Sequence, residues 1–234
     1  MYNEGASCRK SLLALDAYMQ KAFEHYEIIA VNDGSTDNTE SELVSLSQTC
    51  SALRICSYPD NRGKGAAVRE GVMASFGDNV IYTDCDIPYG TDMIGKIAQA
   101  QQTSKSDIVI GSRNISNDGY EGYTAFRKLA SKLYLRLISR AAGFSHSDSQ
   151  CGIKCFGNSC AQKIFSLCTV DGFAFDLEAL MIAEKLGYKV DEYPVKIINH
   201  DEKSSKVNIV KDTFAMLRDI RRIKKRLMDK SLFG

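Results

Sequence analysis

The sequence predicts an α/β fold, a mostly parallel central sheet flanked by helices. Three observations predict it. Short runs of strand-forming residues alternate with stretches of helical period along nearly the whole chain. Several runs stop at polar turn residues, as at Asp33-Gly34-Ser35, Asp84-Cys85-Asp86 and Gly111-Ser112-Arg113, which is how a strand hands over to a helix across a short loop. The length, 234 residues, suffices for one α/β domain with a sizeable core. With no internal repeat, linker or low-complexity segment, the reading is a single domain over residues 1–234.

Met1-Tyr2-Asn3-Glu4-Gly5 leads into a helix whose apolar stripe is Leu12, Leu13, Leu15, Tyr18, Met19 and Phe23; no strand precedes it. Glu27 to Asn32 reads as a buried strand, and Ser35, Thr36 and Asp37 offer caps for a helix over Glu40 to Gln48. Leu53 to Tyr58 is the next strand. Gly63 and Gly65 then open a helix holding Ala66, Ala67, Val68 and Met73. Gly71 follows Gly65 by six residues where a dinucleotide fingerprint needs three, so that fingerprint is excluded. The loop is either a diphosphate cradle, with backbone amides and Lys64 at a helix N-terminus, or a plain strand-to-helix turn. Asn79 to Thr83 is a strand, Asp92 to Gln102 a helix and Asp107 to Gly111 a strand. Arg113, just past it, suits an anion or a surface ion pair.

Tyr123 to Ala142 is helical, with Phe126, Leu129, Leu133, Leu137 and Ile138 on one face and Arg127 and Ser131, four apart, on another. Gly143 closes it. Residues 147–156 are polar, then briefly strand-like. Asp171 to Glu178 opens a helix ending at Gly187, and Lys189 to Asn199 is a late strand whose Pro194 places it at an edge or bulge. The tail, 207–229, is an amphipathic helix with Val210, Phe214, Leu217 and Ile220 on one side. Its end carries Arg218, Arg221, Arg222, Lys224, Lys225 and Arg226. That run is either a solvated face or a patch for an anionic membrane surface.

The chemistry centres on Val80-Ile81-Tyr82-Thr83-Asp84-Cys85-Asp86. Residues two apart on a strand share a face, so Asp84 and Asp86 aim at one spot past the strand end, where open α/β sheets bind ligands. Two converging carboxylates repel unless a cation joins them. A hard divalent ion, Mg²⁺ or Mn²⁺, fits them and brings a phosphate-bearing substrate. Net charge is +1, which excludes a global field for nucleic acid. The eight cysteines include no Cys-x-x-Cys pair, and Cys151, Cys155 and Cys160 lack zinc-knuckle spacing, so free thiols in a reducing cytosol are expected. No apolar run approaches the roughly 20 residues of a membrane span, and no signal peptide is visible. Ser145-His146-Ser147-Asp148 offers triad residue types but no nucleophile elbow.

Tyr2-Asn3-Glu4, Val31-Asn32-Asp33-Gly34-Ser35, Asn61-Arg62-Gly63-Lys64-Gly65, Asp84-Cys85-Asp86, Gly111-Ser112-Arg113, Gln150-Cys151-Gly152-Ile153-Lys154 and Phe175-Asp176-Leu177-Glu178 follow one another in order. In these motifs the chain resembles family 2 glycosyltransferases, and most of all the polyprenyl-phosphate (dolichyl-phosphate type) mannosyl- and glucosyltransferases. The resemblance implies a GT-A fold. It implies that Tyr2, Glu4 and Asp33 hold the nucleoside of a UDP- or GDP-hexose, and that Asp84 and Asp86 hold the metal on its diphosphate. Arg113, Arg127 and Ser131 would hold the phosphate of a polyprenyl phosphate acceptor. Asp148 and Gln150 would frame the sugar, and Lys203 and Lys206 would lie in a basic loop that closes on the diphosphate. The family has a strand and a proline before Tyr-Asn-Glu, whereas this chain starts at that motif; the resemblance thus implies a sheet with its first strand missing, beside Ile28 to Val31. Many mannosyltransferases carry a glutamine two residues after the second Asp; Pro88 stands there, which points away from mannose and leaves glucose or another sugar open.

The expected reaction is a single inverting displacement at the anomeric carbon, with the metal and Lys64 offsetting charge on the leaving diphosphate. A phosphate acceptor has a second pKa of about 6 and needs positioning more than a base. A saccharide hydroxyl would need one, and Asp176 or Asp148 is the candidate. Transfer to such a hydroxyl in cell-surface polysaccharide synthesis is the alternative, with an inactive nucleotide-binding module behind it. The expected location is cytoplasmic and peripheral, at the inner face of a membrane.

Overall fold

The computed structural model describes residues 1–115, 119, 125–144, 146–198 and 209–233; the side chains of residues 125–127, 130, 209–214 and 230 fall outside that description. The described elements run α1 (Cys8–Ala22), β1 (Ile28–Asp33), α2 (Thr39–Ser47), β2 (Leu53–Tyr58), α3 (Lys64–Met73), β3 (Asn79–Tyr82), α4 (Asp92–Ser104), β4 (Ile108–Ser112), α5 (Ala125–Ala142), β5 (Lys154–Gly157), α6 (Asn158–Leu167), α7 (Phe175–Leu186), β6 (Val190–Pro194) and α8 (Ile209–Leu227). Helix α6 is absent from the sequence reading, although Cys160, Ala161, Ile164 and Phe165 bury one helical face.

The strands form two pieces, β1-β2 and β3-β5-β4-β6. β1 pairs with β2 in parallel, and β4 with β6 in parallel. β5 runs antiparallel to both β3 and β4, so the sheet is mixed where alternation alone suggested a mostly parallel one. The reason is local. β5 begins where its neighbours end, with the Gly111 N–H donating to Ile153 O at 3.0 Å, so it has to run back between them. The sheet divides on the side of β1 away from β2. Along that edge of β1, the Met1 amino group donates to Val31 O (2.6 Å) and the Asp33 N–H donates to Met1 O (2.8 Å). Pro194 ends β6, an edge strand, where a missing N–H costs no ladder bond.

Period two sorts the strand side chains. Val80, Tyr82, Ile108, Ile110 and Phe156 face a large cluster with α6, α7 and α8, while Val109, Ile153 and Cys155 face a second one with α4. Helix α1 staples the two pieces together: Leu12 packs with Ile28, Ala30, Leu43 and Leu53, and Met19 packs with Ile94 and Ile97. Each such buried aliphatic contributes about 1.5–3 kcal/mol. The face of α5 differs from expectation. Leu135 and Ile138 are buried, whereas Leu129, Leu133 and Leu137 are exposed. All eight cysteines are free thiols, and no helix among the described residues is long and apolar enough to cross a membrane.

Candidate active site

The site forms where β1 and β3 end. The first residues lie across the loop after β1: the Asn3 N–H donates to Ser35 Oγ (3.0 Å), the Glu4 N–H to Thr39 Oγ1 (2.9 Å) and the Gly5 N–H to Asp37 Oδ2 (3.0 Å). With the Asp33 N–H donating to Met1 O (2.8 Å), Tyr2, Glu4 and Asp33 lie at the same strand end. Burial, and then the Glu4 charge, pushes the neighbouring Cys85 thiol up to about 12, which places Glu4 beside the Asp84-Cys85-Asp86 turn. Asp33 is itself buried and already employed. Its carboxylate accepts from the Arg62 N–H (2.7 Å), the Gly63 N–H (2.9 Å) and Asn61 Nδ2 (2.9 Å), so it fastens the Asn61–Lys64 loop to the end of β1.

That loop aims Lys64 at Asp84, with Nζ 2.5 Å from Oδ1. Burial works to lower the Lys64 pKa, but Asp84, then Asp176 and Asp86, outweigh it and raise it. One ammonium thus faces three carboxylates. Asp84 and Asp86 are both half-exposed at the end of β3, and no group of three or more His, Cys, Asp or Glu among the described residues is placed to hold a metal. A carboxylate pair fits a Mg²⁺ or Mn²⁺ ion that takes its remaining oxygens from a diphosphate and water. The backbone crosses Asp84 closely. A Cβ on Gly152 would lie 2.2 Å from Asp84 Oδ2. Gly152→Ala is therefore expected to displace the Asp84 carboxylate and cut metal-dependent nucleotide affinity at least ~tenfold, about 1.4 kcal/mol. Calorimetric titration of a nucleoside diphosphate with Mn²⁺ checks this, and wild-type affinity in the variant refutes it.

The two candidate bases are both buried in ion pairs. Asp176 accepts from Lys154 Nζ (2.6 Å) and from the Tyr82 hydroxyl. Burial, then the Asp176 charge, keeps that hydroxyl protonated as a donor. Asp148 receives Arg113 in a fork, Nε to Oδ2 at 2.7 Å and Nη2 to Oδ1 at 2.9 Å. Glu192 on β6 holds this turn through the Ser147 N–H (2.9 Å) and Ser147 Oγ (2.7 Å). Gln150 Nε2, Ser149 Oγ and Thr83 Oγ1 are buried with no partner among the described residues, so hydrogen-bonding capacity on the two segments that lead to Asp84 and Gly152 is unspent.

The helix α3 N-terminus is not the amide cradle that the glycines suggested. The Gly65 and Ala66 N–H groups donate to Asp171 O (2.7 and 3.3 Å), and those of Arg62 and Gly63 go to Asp33. The loop contributes the Lys64 side chain instead. Gly63, at φ 104°, makes the turn. Ser131 lies half-buried on α5; the Arg127 side chain, and Lys203 and Lys206, lie outside the described residues. Sequence reasoning gave no role to Lys154, Tyr82, Asp171, Glu178 or Glu192. Glu178 accepts from the Thr169 N–H (2.8 Å), the Val170 N–H (2.7 Å) and Arg226 Nη2 (2.8 Å), so Arg226 leaves the basic tail cluster for the core. For Lys154 and Glu178 the available signal was a charged residue inside an apolar run.

The profile of the family described as glycosyl transferase family 2 matches residues 1–165. A dolichyl-phosphate beta-glucosyltransferase of Trichomonas vaginalis is 33% identical over 205 residues, which cover 83% of this chain and 61% of that protein. One of Drosophila melanogaster is 34% identical over 179 residues, covering 73% and 55%. The chain thus spans about six tenths of the length of these relatives. Among solved structures, glucosyl-3-phosphoglycerate synthase of Mycobacterium tuberculosis, in complex with Mn²⁺, UDP-glucose and phosphoglyceric acid, superposes with a TM-score of 0.65 at 19% identity, covering 94% of this chain and 76% of that one. A mannosyltransferase of Pyrobaculum calidifontis in complex with GDP-Man and Mn²⁺ gives 0.56 at 16% identity, covering 87% and 56%.

Proposed function

The chain belongs to glycosyl transferase family 2, and on that premise we propose that it transfers glucose from a nucleotide-diphosphate sugar to a polyprenyl phosphate, with inversion at the anomeric carbon. One observation carries the choice of acceptor. Asp148 and Asp176, the carboxylates a hydroxyl acceptor would need as base, are buried and spent on Arg113 and on Lys154 with Tyr82. A phosphate, largely dianionic at pH 7, needs no base. The dolichyl-phosphate glucosyltransferase relatives support the same reading, and Pro88 in place of glutamine supports glucose over mannose.

In this reading Tyr2, Glu4 and Asp33 line the nucleoside end, and Gln150 turns its unspent amide to the sugar. Asp84 and Asp86 hold Mg²⁺ or Mn²⁺, which when bound supplies positive charge to the diphosphate. Lys64 then turns its ammonium from Asp84 to the leaving group, joined by Lys203 and Lys206. Arg113, fixed in direction by Asp148, acts with Arg127 and Ser131 on the acceptor phosphate. The domain works from the cytoplasmic side, peripheral to the membrane that holds its lipid.

The test is transfer from UDP-glucose, with Mn²⁺, to a short polyprenyl phosphate and to free saccharides. Glucosylated lipid phosphate alone is expected, with the product lost on adding EDTA. Glucosylated saccharide with no lipid product would overturn the reading.

A further inference from the structure

We propose that the outer face of α5, with the basic end of α8 beside it, is the surface that rests on an anionic lipid bilayer. The proposal deepens the polyprenyl-phosphate reading and rests on it, since an acceptor embedded in lipid obliges the protein to meet a bilayer. Leu129, Leu133 and Leu137 are 58, 56 and 48% exposed. They stand four residues apart, so they form one continuous ridge rather than scattered surface leucines. Arg136 and Arg140 follow Leu129 and Leu133 by seven residues, about two helical turns, and so share that ridge's side of the helix. Both arginines are exposed. Lys132, Arg136, Arg140 and His146 line an open cavity of about 710 Å³ at the edge of the ridge. None of the three cations has a carboxylate within ion-pair distance among the described residues.

Helix α8 adds charge but not an apolar anchor. Its Met216, Ile220, Ile223 and Leu227 are buried in the main core. Its Arg221, Lys224 and Lys225 are exposed. Lys224 reaches the C-terminal end of α5, its Nζ 3.8 Å from a Cβ built at Gly143. On the described part of the tail, Leu217 and Ile220 of the sequence-predicted stripe thus pack on the core, and α5 presents exposed leucines instead. Leucines that enter the interface, flanked by cations that reach the headgroup phosphates, are the composition of a helix lying on an anionic membrane. A protein partner would need a carboxylate-rich apolar groove, and a second copy of this face would set these cations against themselves. The charge favours the bilayer.

The experiment uses the whole chain in cosedimentation with vesicles of phosphatidylcholine, with and without phosphatidylglycerol. Binding is expected only with phosphatidylglycerol, and is expected to fall with salt. Leu133→Glu with Leu137→Glu is expected to weaken it at least ~tenfold, as is Arg221→Glu with Lys224→Glu and Lys225→Glu. Both leucines are exposed, so circular dichroism should show an unchanged melting curve. The leucine variant should keep wild-type transfer to a short, water-soluble polyprenyl phosphate and lose transfer to a long one in vesicles. Wild-type vesicle binding by that variant overturns the proposal, and so does a variant that changes only the oligomeric state. Vesicle binding through this face by a protein that glucosylates neither acceptor supports the docking surface and sinks the acceptor reading instead.

Discussion

Asp86→Ala is expected to abolish sugar transfer and leave the fold intact. The side chain is half-exposed beyond the end of β3, so its loss removes little packing, and the change in stability should stay within about 0.5 kcal/mol. Its chemical loss is much larger. Asp84 and Asp86 are a pair, and no third ligand among the described residues stands by to replace either. Asp84 alone already has Lys64 at 2.5 Å, and with its partner gone that ion pair is the stronger competitor for its carboxylate. Charge stabilisation by a bound metal is worth several kcal/mol, so a loss of about 4 kcal/mol lowers kcat/KM roughly a thousandfold. The measurement is kcat/KM across a Mn²⁺ titration, with a thermal melt alongside. Retention of more than about a tenth of wild-type kcat/KM, under 1.4 kcal/mol, would refute the assignment.

Much of this site is legible in the sequence because it is local. Asp84 and Asp86 are two apart at a strand end, and their placement follows from strand geometry alone. The strand over Leu53 to Tyr58 and the helix after Asn38 are likewise read from near neighbours, although Asn38 makes no side-chain cap there. What escaped depends on distant partners. Asp33 reads as a ligand residue, yet its oxygens are taken by amides about thirty positions on. A lysine in an apolar strand reads as facing water; Lys154 is buried because Asp176 and Tyr82 arrive from other elements. Helix α5 carries two apolar stripes, Leu129-Leu133-Leu137 and Leu135-Ile138-Ala142, and periodicity cannot say which one meets the core. The direction of β5 was equally hidden, since it depends on where the loop before it re-enters the sheet rather than on its own four residues.

Lys154→Met is expected to cost about 3–5 kcal/mol of stability, the usual penalty for leaving one member of a buried ion pair alone. Lys154 opens the interior strand β5, opposite Tyr82 at the end of β3 and Ile110 on β4, and is fully buried. Its ammonium donates to Asp176 (2.6 Å) and to Cys151 O (2.7 Å), and lies 5.5 Å from the Tyr82 ring. Methionine fills the stem volume but leaves the Asp176 carboxylate with the Tyr82 hydroxyl as its remaining side-chain donor among the described residues. Loss of the ammonium also changes the field at Lys64, which feels Asp176 next after Asp84, so the active site should suffer in parallel. Replacing the partner as well is the decisive comparison. Lys154→Met with Asp176→Leu removes both charges and should recover much of the loss, because apolar replacements of a buried pair are often neutral. The recovery should remain incomplete by about 1–3 kcal/mol, since Tyr82 then holds a buried hydroxyl without an acceptor. Adding Tyr82→Phe should restore that remainder. Urea unfolding of the wild type and the three variants reads all of this from midpoints at constant slope. A single Lys154→Met that costs under about 1 kcal/mol would show the pair to be solvated, and the clamp on Asp176 would then be no part of what holds the site together.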